Sequence, residues 1–156
     1  MLLHDKLKEY NIILASASPR RRELLRATGI EYQTASKFEC EESYPATLIA
    51  EDVAPYLSRL KSHAYPVSLG CGDLLITADT TVILGSEVLG KPSSADEAKA
   101  MLRRLSGREH SVVTGVTLRS SERERTFAAV SKVRFAELTE EQMAKVIVAY
   151  EPVWAI

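Results

Sequence analysis

The chain has 156 residues and a formal net charge of −1, because 20 lysines and arginines stand against 21 aspartates and glutamates. With 46% hydrophobic and 26% charged residues it has the composition of a globular protein, which excludes disordered and collagen-like chains. Its apolar runs are far shorter than the roughly 18 to 20 residues of a membrane-spanning helix, and its N-terminus lacks a secretory signal pattern. We therefore expect one cytoplasmic domain, residues 1–156, that binds no membrane.

Charge is unevenly distributed along the first third of the chain. Basic residues are in excess over residues 1–26, whereas glutamates dominate residues 37–52. Such a pair of segments would suit an anionic ligand held with a divalent cation, although charge runs are also common on solvated surfaces. The two cysteines, Cys40 and Cys71, form no metal-binding or disulfide pattern, so free thiols are expected.

The first predicted elements are a strand and a helix that follow each other directly. Residues 11–15, Asn-Ile-Ile-Leu-Ala, predict a short buried strand, and Ser18 with Pro19 predicts a helix start, with Gly29 as its end. Backbone N–H groups at such a helix start can bind an anion. This helix is expected to place two leucines against the core, Leu24 and Leu25.

The rest of the chain continues to alternate short β-branched runs with helical periods, which is typical of an α/β fold. Apolar spacing predicts a helix that begins near Asp52 or Val53, with Pro55 in its first turn. Further signals predict, in chain order, strands at 74–78 and 81–84 with a turn at Gly85-Ser86, a helix capped by Ser94 and ended by Gly107, paired strands at 111–118 and 127–135, and a helix capped by Thr139.

Asp79 is the residue most in need of an explanation, because it interrupts an apolar segment. Burying a carboxylate without a partner is costly. A structural cap at a strand end is one interpretation, and a metal ligand or general base is the other, since α/β proteins place reactive side chains at strand ends. Lys91 is similarly ambiguous between a surface lysine and a phosphate ligand.

Taken together, these segments resemble the Maf family of nucleoside triphosphate pyrophosphatases. The matching segments are LASASPRRRELL at 14–25, the lysine-bearing helix at 57–64, Ala-Asp-Thr at 78–80, Leu-Gly-Lys-Pro at 89–92, and LSGREHSVVTGV at 105–116. The resemblance implies a twisted mixed sheet flanked by helices, as in inosine triphosphatases, with a nucleotide cleft between two lobes.

The resemblance also implies hydrolysis between the α- and β-phosphates with magnesium or manganese. Carried over by position, Asp79 would be the general base, and Glu39 would share the metal with it. The triphosphate would be bound by a larger set of residues, namely Ser16, Arg20, Lys61, Thr80 and Lys91. The Ser-Pro-Arg and Ala-Asp-Thr sequences resemble those of the dTTP/UTP branch of the family rather than those of the 7-methyl-GTP branch.

The resemblance fails after Glu151-Pro152, where the family continues with an Asp-Lys pair, a specificity glutamine and further strands. Residues 149–156 look instead like a segment of triosephosphate isomerase, but 156 residues cannot build that barrel. We therefore expect a Maf domain lacking its C-terminal strands, with a homodimer as one option. A nucleotide-binding remnant without turnover is the alternative, and nucleic-acid binding is disfavoured by the charge of −1.

Overall fold

A computed structural model describes residues 3–145 of the chain. The helices are α1 Leu3–Leu7, α2 Pro19–Ala27, α3 Ala50–Ala64 and α4 Ala95–Leu105. The strands are β1 Asn11–Leu14, β2 Gln33–Thr34, β3 Asp73–Leu84, β4 Glu87–Leu89, β5 Glu109–Arg119 and β6 Glu124–Arg134. A further helical segment begins at residue 140, where Thr139 and Gln142 cap it reciprocally.

The strands form one mixed sheet in the order β2-β1-β3-β5-β6, with β4 paired to β3. β1 runs parallel to β2 and β3, whereas β3, β5 and β6 are successively antiparallel. Ile83 packs against α3 and the adjacent Leu84 packs near Leu105 of α4. Because neighbouring strand residues point to opposite faces, helices cover both faces of the sheet. The predicted α/β architecture is confirmed.

One edge of β3 is open between two partners, and this opening positions the site. β5 covers the other edge of β3 from Leu75 to Ile83. On the open side β1 ends its pairing at Ile76, and β4 begins only at Val82. Within residues 3–145 no strand lies beside residues 77–81 on that side, just beyond the C-terminal end of the parallel strand β1. Ligands of α/β sheets commonly bind at such a crevice.

The two predicted strands at 74–78 and 81–84 are in fact one strand. β3 runs unbroken through Asp79 and Thr80, whose backbones pair with Gly115 and Thr114 of β5. The polar side chains did not interrupt the ladder because backbone pairing with β5 is independent of side-chain polarity. Asp79 thus lies within a strand and not at its end. The predicted turn at Gly85-Ser86 is confirmed between β3 and β4.

The helices also differ in detail from the prediction. Leu24 was expected in the core but is 58% exposed, because the inward side of α2 carries Arg21 and Arg22. α3 begins at Ala50, so Pro55 lies in its second turn and not its first. The Ser94 cap of α4 is confirmed, since its hydroxyl accepts from the Glu97 amide at 3.1 Å.

α1 and β2 are short elements that the sequence did not predict. Among the helices of the described residues, none combines the length and apolar character needed to cross a membrane. The predicted departure from the family after Pro152 falls outside residues 3–145.

Candidate active site

Asp79 forms the centre of a small cluster of charges at the open edge of β3. Only 8% of the residue is exposed, and its Oδ1 accepts a hydrogen bond from Lys61 Nζ at 2.6 Å. The same ammonium lies 3.1 Å from Oε2 of Glu42, in the acidic loop before α3. Two carboxylates thus converge on one lysine, which supplies the partner that a buried carboxylate requires.

Close packing of α3 on the sheet brings Lys61 to Asp79. Gly115 lies beside Asp79 in the sheet, and a Cβ there would overlap the backbone of Ala54 and Pro55. Farther along, Thr77 Oγ1 donates to the Ser58 carbonyl at 2.7 Å. These contacts fix the distance between α3 and this face of the sheet.

Arg21 closes the same edge from the other side. Its Nη1 donates to the Ala78 carbonyl at 2.9 Å and to Ser16 Oγ at 3.3 Å, and its Nη2 donates to Thr80 Oγ1 at 3.1 Å. The Ala78 carbonyl lies beyond the last pairing with β1, so the guanidinium replaces a missing strand donor. Burial lowers the pKa of Arg21, while the negative charges of Asp79 and Glu42 act in the opposite direction.

Arg21 and Arg22 both donate hydrogen bonds to the loop between β1 and α2. Ser16 Oγ also accepts from the Ser18 amide at 3.3 Å, and the Ser16 carbonyl accepts from Nε and Nη2 of Arg22, each at 3.3 Å. The Ser18 side chain makes no cap hydrogen bond to α2. The first N–H groups of α2 therefore lie next to Arg21 without a capping side chain.

The structure brings together four of the predicted site residues: Ser16, Lys61, Asp79 and Thr80. Three others, Arg20, Glu39 and Lys91, are exposed, and no hydrogen bond or ion pair joins them to this cluster within residues 3–145. Their roles in phosphate or metal binding stay predictions.

Three residues of the cluster were not singled out by the sequence: Arg21, Glu42 and Thr114. Arg21 is one of three consecutive arginines, and only the direction of each side chain from α2 distinguishes it. Glu42 is one of three glutamates in an irregular loop, where no periodicity indicates which will face Lys61. Thr114 Oγ1 lies 3.1 Å from Thr80 Oγ1, a contact that depends on the register of β3 and β5.

The sequence and the fold both match known proteins. The family model described as "Maf-like protein" matches residues 11–155. A dTTP/UTP pyrophosphatase of Phocaeicola vulgatus is 45% identical over 148 residues, covering 95% of this chain and 77% of the relative. Another dTTP/UTP pyrophosphatase, from Porphyromonas gingivalis, is 45% identical over 150 residues, covering 95% and 75%.

Solved structures support the fold alone. The Ham1 protein of Staphylococcus aureus matches with a TM-score of 0.58 and 14% identity, covering 90% of this chain and 98% of that one. A HAM1 protein from Coxiella burnetii gives a TM-score of 0.50 and 18% identity, covering 80% and 72%. The predicted mixed sheet with flanking helices is thus confirmed by independent neighbours. Since the family model spans nearly the whole chain and the relatives match along almost all of it, this chain belongs to the Maf family.

Proposed function

We propose that this chain is a nucleoside triphosphate pyrophosphatase that hydrolyses dTTP and UTP to the monophosphate and pyrophosphate. Membership of the Maf family and the names of its relatives support this activity. The observation that carries it is the meeting of Asp79, Lys61 and Glu42 beside Arg21 at one open sheet edge. This arrangement offers both an acceptor for a proton and cations for a polyphosphate.

The triphosphate would bind between the start of α2 and Lys61. Arg21 can offer paired N–H donors to phosphate oxygens, whereas Lys61 acts as a point charge. The Ser16 hydroxyl and the first N–H groups of α2 add neutral donors. Arg20 and Lys91 would extend this set, as the family resemblance implies. Lys61 would then exchange part of its contact with Glu42 for a contact with the substrate.

The residues present fit a divalent cation of the magnesium or manganese type. Asp79 and Glu42 direct carboxylate oxygens to the same point, now held by the Lys61 ammonium. Within residues 3–145 no group of three or more metal-binding side chains occurs. Magnesium commonly binds through one or two carboxylates together with substrate phosphates, so two carboxylates suffice. We assign Asp79 and Glu42 to this role, in addition to the sequence-based candidate Glu39.

Hydrolysis needs a water molecule activated next to the α–β phosphoanhydride bond. A bound divalent cation would lower the pKa of water and offset phosphate charge. Asp79 accepts the proton of the attacking water, and Lys61 holds the Asp79 carboxylate in place through its 2.6 Å hydrogen bond. Arg21 neutralises charge on the phosphate oxygens, both in the bound substrate and during the reaction. The water oxygen bonds to the α-phosphorus, the bond between that phosphorus and the bridging oxygen breaks, and pyrophosphate leaves with the monophosphate as the second product.

The alternative of a nucleotide-binding remnant without turnover is not favoured, because the relatives are pyrophosphatases by name and the proton acceptor Asp79 is in direct contact with the phosphate-binding cation Lys61. The cytoplasm as the compartment, a homodimer as the assembly and the absence of nucleic-acid partners remain predictions from the sequence.

A nucleotide panel tests the proposal. We expect kcat/KM with magnesium to be highest for dTTP and UTP, and lower for CTP, ATP and GTP. Asp79→Asn serves as the inactive control in every assay. The proposal is wrong if no nucleotide is hydrolysed above the Asp79→Asn background, and its pyrimidine preference is wrong if ATP or GTP is the best substrate.

A further inference from the structure

Thr114 extends the contacts of Arg21 by one more residue. It lies on β5 directly opposite Thr80 of β3, and the two hydroxyl oxygens are 3.1 Å apart. Thr80 Oγ1 in turn accepts a hydrogen bond from Nη2 of Arg21 at 3.1 Å. A chain of hydrogen bonds therefore runs from β5 through β3 to the guanidinium on α2.

The hydrogen-bonding capacity of a hydroxyl limits how Thr80 can take part in this chain. Thr80 has one hydrogen and two acceptor positions, and Arg21 occupies one of the acceptor positions. Thr114 must either accept the hydrogen of Thr80 or donate to its second acceptor position. In both cases the bond restricts the side-chain torsion of Thr80, which is otherwise exposed to solvent.

Arg21 needs such support because no carboxylate within residues 3–145 contacts its guanidinium. Its three acceptors within residues 3–145 are neutral: Ser16 Oγ, the Ala78 carbonyl and Thr80 Oγ1. No ion pair of Arg21 occurs in that part of the chain. The guanidinium is thus held by neutral acceptors, while Asp79 and Glu42 act on its charge without contacting it, and it stays available to an anion. Thr80 is the only one of these acceptors that contacts Nη2.

We propose that Thr114 is a positioning residue that acts through Thr80 to hold the Arg21 guanidinium toward the triphosphate. The identity of the ligand as a triphosphate rests on the proposed function, whereas the coupling of the three side chains does not. Arg21 binds the substrate in the ground state as well as during the reaction. Loss of the Thr114 hydroxyl should therefore mainly raise KM.

Isosteric variants test this role, because Thr114→Val keeps the side-chain shape and only removes the hydroxyl. We expect Thr114→Val to raise the KM for dTTP about two- to tenfold, the range of one neutral hydrogen bond, with kcat changed less than about twofold. Thr114→Ser restores the hydroxyl and should remain near the parent value. The matched control is Thr126→Val, since Thr126 forms a similar hydroxyl pair with Thr117 on the same sheet, away from Arg21.

The double variant separates positioning from a merely structural effect. If Thr114 acts through Thr80, adding Thr114→Val to Thr80→Val should raise KM no further, so the two changes are not additive. Additive changes would overturn the proposal, as would a tenfold loss in kcat at constant KM or an equal effect of Thr126→Val.

Calorimetric binding of inorganic tripolyphosphate gives a readout that needs no turnover. We expect the same two- to tenfold weakening by Thr114→Val and the same non-additivity with Thr80→Val. If the wild-type chain binds tripolyphosphate in this pattern but hydrolyses no nucleotide, the proposed function fails and the positioning role of Thr114 stands. If Thr114→Val binds tripolyphosphate as tightly as wild type does, the positioning role fails.

Discussion

At the level of single residues, the negative charges of two carboxylates in the site are compensated by the cations beside them. Asp79 and Glu42 would repel a polyphosphate, but Lys61 contacts both and Arg21 lies within electrostatic range of both. A divalent cation held by Asp79 and Glu42 would supply further positive charge for the phosphates. Because Lys61 contacts both carboxylates, the contributions of these three side chains are coupled.

Asp79→Asn should abolish turnover and leave the fold intact. The amide keeps the shape of the side chain but cannot accept a proton or carry charge for a cation. We expect kcat to fall at least about 10²-fold, the size usual for a general base, with little change in the circular dichroism spectrum. A variant that keeps more than about a tenth of the parent kcat would remove Asp79 from the catalytic role.

Arg21→Ala should weaken triphosphate binding more than Arg20→Ala does. The Arg21 guanidinium lies in the cluster, whereas Arg20 is exposed and has no contact with it in the described chain. We expect a loss of about 1.5–3 kcal/mol for Arg21→Ala, the range of hydrogen bonds to charged groups, measured by calorimetry with a non-hydrolysable dTTP analogue.

Arg26→Ala is the control for this comparison, because Arg26 lies on the last turn of the same helix. Arg22 is unsuitable as a control, since its guanidinium holds the Ser16 carbonyl. Similar losses at Arg20, Arg21 and Arg26 would indicate diffuse electrostatic attraction and contradict a defined phosphate site.

At the level of the elements, the distance between α3 and the sheet determines whether Lys61 can contact Asp79. The close approach depends on Gly115, where any Cβ would overlap backbone atoms of Ala54 and Pro55 and not a movable side chain. The helix must shift to accept even a methyl group, which alters every contact along it.

Gly115→Ala should therefore destabilise the protein and reduce activity together. We expect urea denaturation to show that the free energy of unfolding falls by about 1–3 kcal/mol, as is typical of overpacked cores. Gly90→Ala is the matched control for stability alone, since a Cβ at Gly90 meets no atom within 4 Å and its φ is not positive. Equal stability of the two variants would refute the close packing of α3 on β5.

Local sequence signals predicted the elements well where one residue type determines the geometry. Gly29, Gly85 and Gly107 have positive φ and mark the ends of elements, as expected. The prediction failed at Asp79, where pairing with β5 overrides side-chain polarity, and at Leu24, where tertiary contacts of two arginines set the rotation of α2. The convergence of Glu42, Lys61 and Arg21 could not be predicted from spacing, because these residues come from three separate segments.

At the scale of the whole molecule, His110 links stability to pH. Its ring is buried, packs edge-on against Phe135 at 5.0 Å between centroids, and its Nδ1 has no hydrogen-bond partner in the described residues. Burial lowers the pKa of His110. Below a pH of about 6.5, the ordinary pKa of histidine, the unfolded chain takes up a proton that the folded chain resists. Stability should therefore be full above this pH and decrease as the pH falls.

His110→Phe isolates this effect, because phenylalanine retains an aromatic contact with Phe135 and cannot be protonated. We expect the wild-type free energy of unfolding to fall more steeply between pH 7 and pH 5.5 than that of the variant. Parallel pH dependences of the two proteins would show that His110 does not contribute to acid sensitivity.

Cleavage of the α–β phosphoanhydride bond at the Asp79 cluster can be tested by identifying the products that the protein forms from dTTP with magnesium. We expect dTMP and pyrophosphate in equal amounts from the wild-type chain, and neither product above background from Asp79→Asn. Release of orthophosphate with dTDP, or an unchanged yield of dTMP and pyrophosphate from Asp79→Asn, would contradict it.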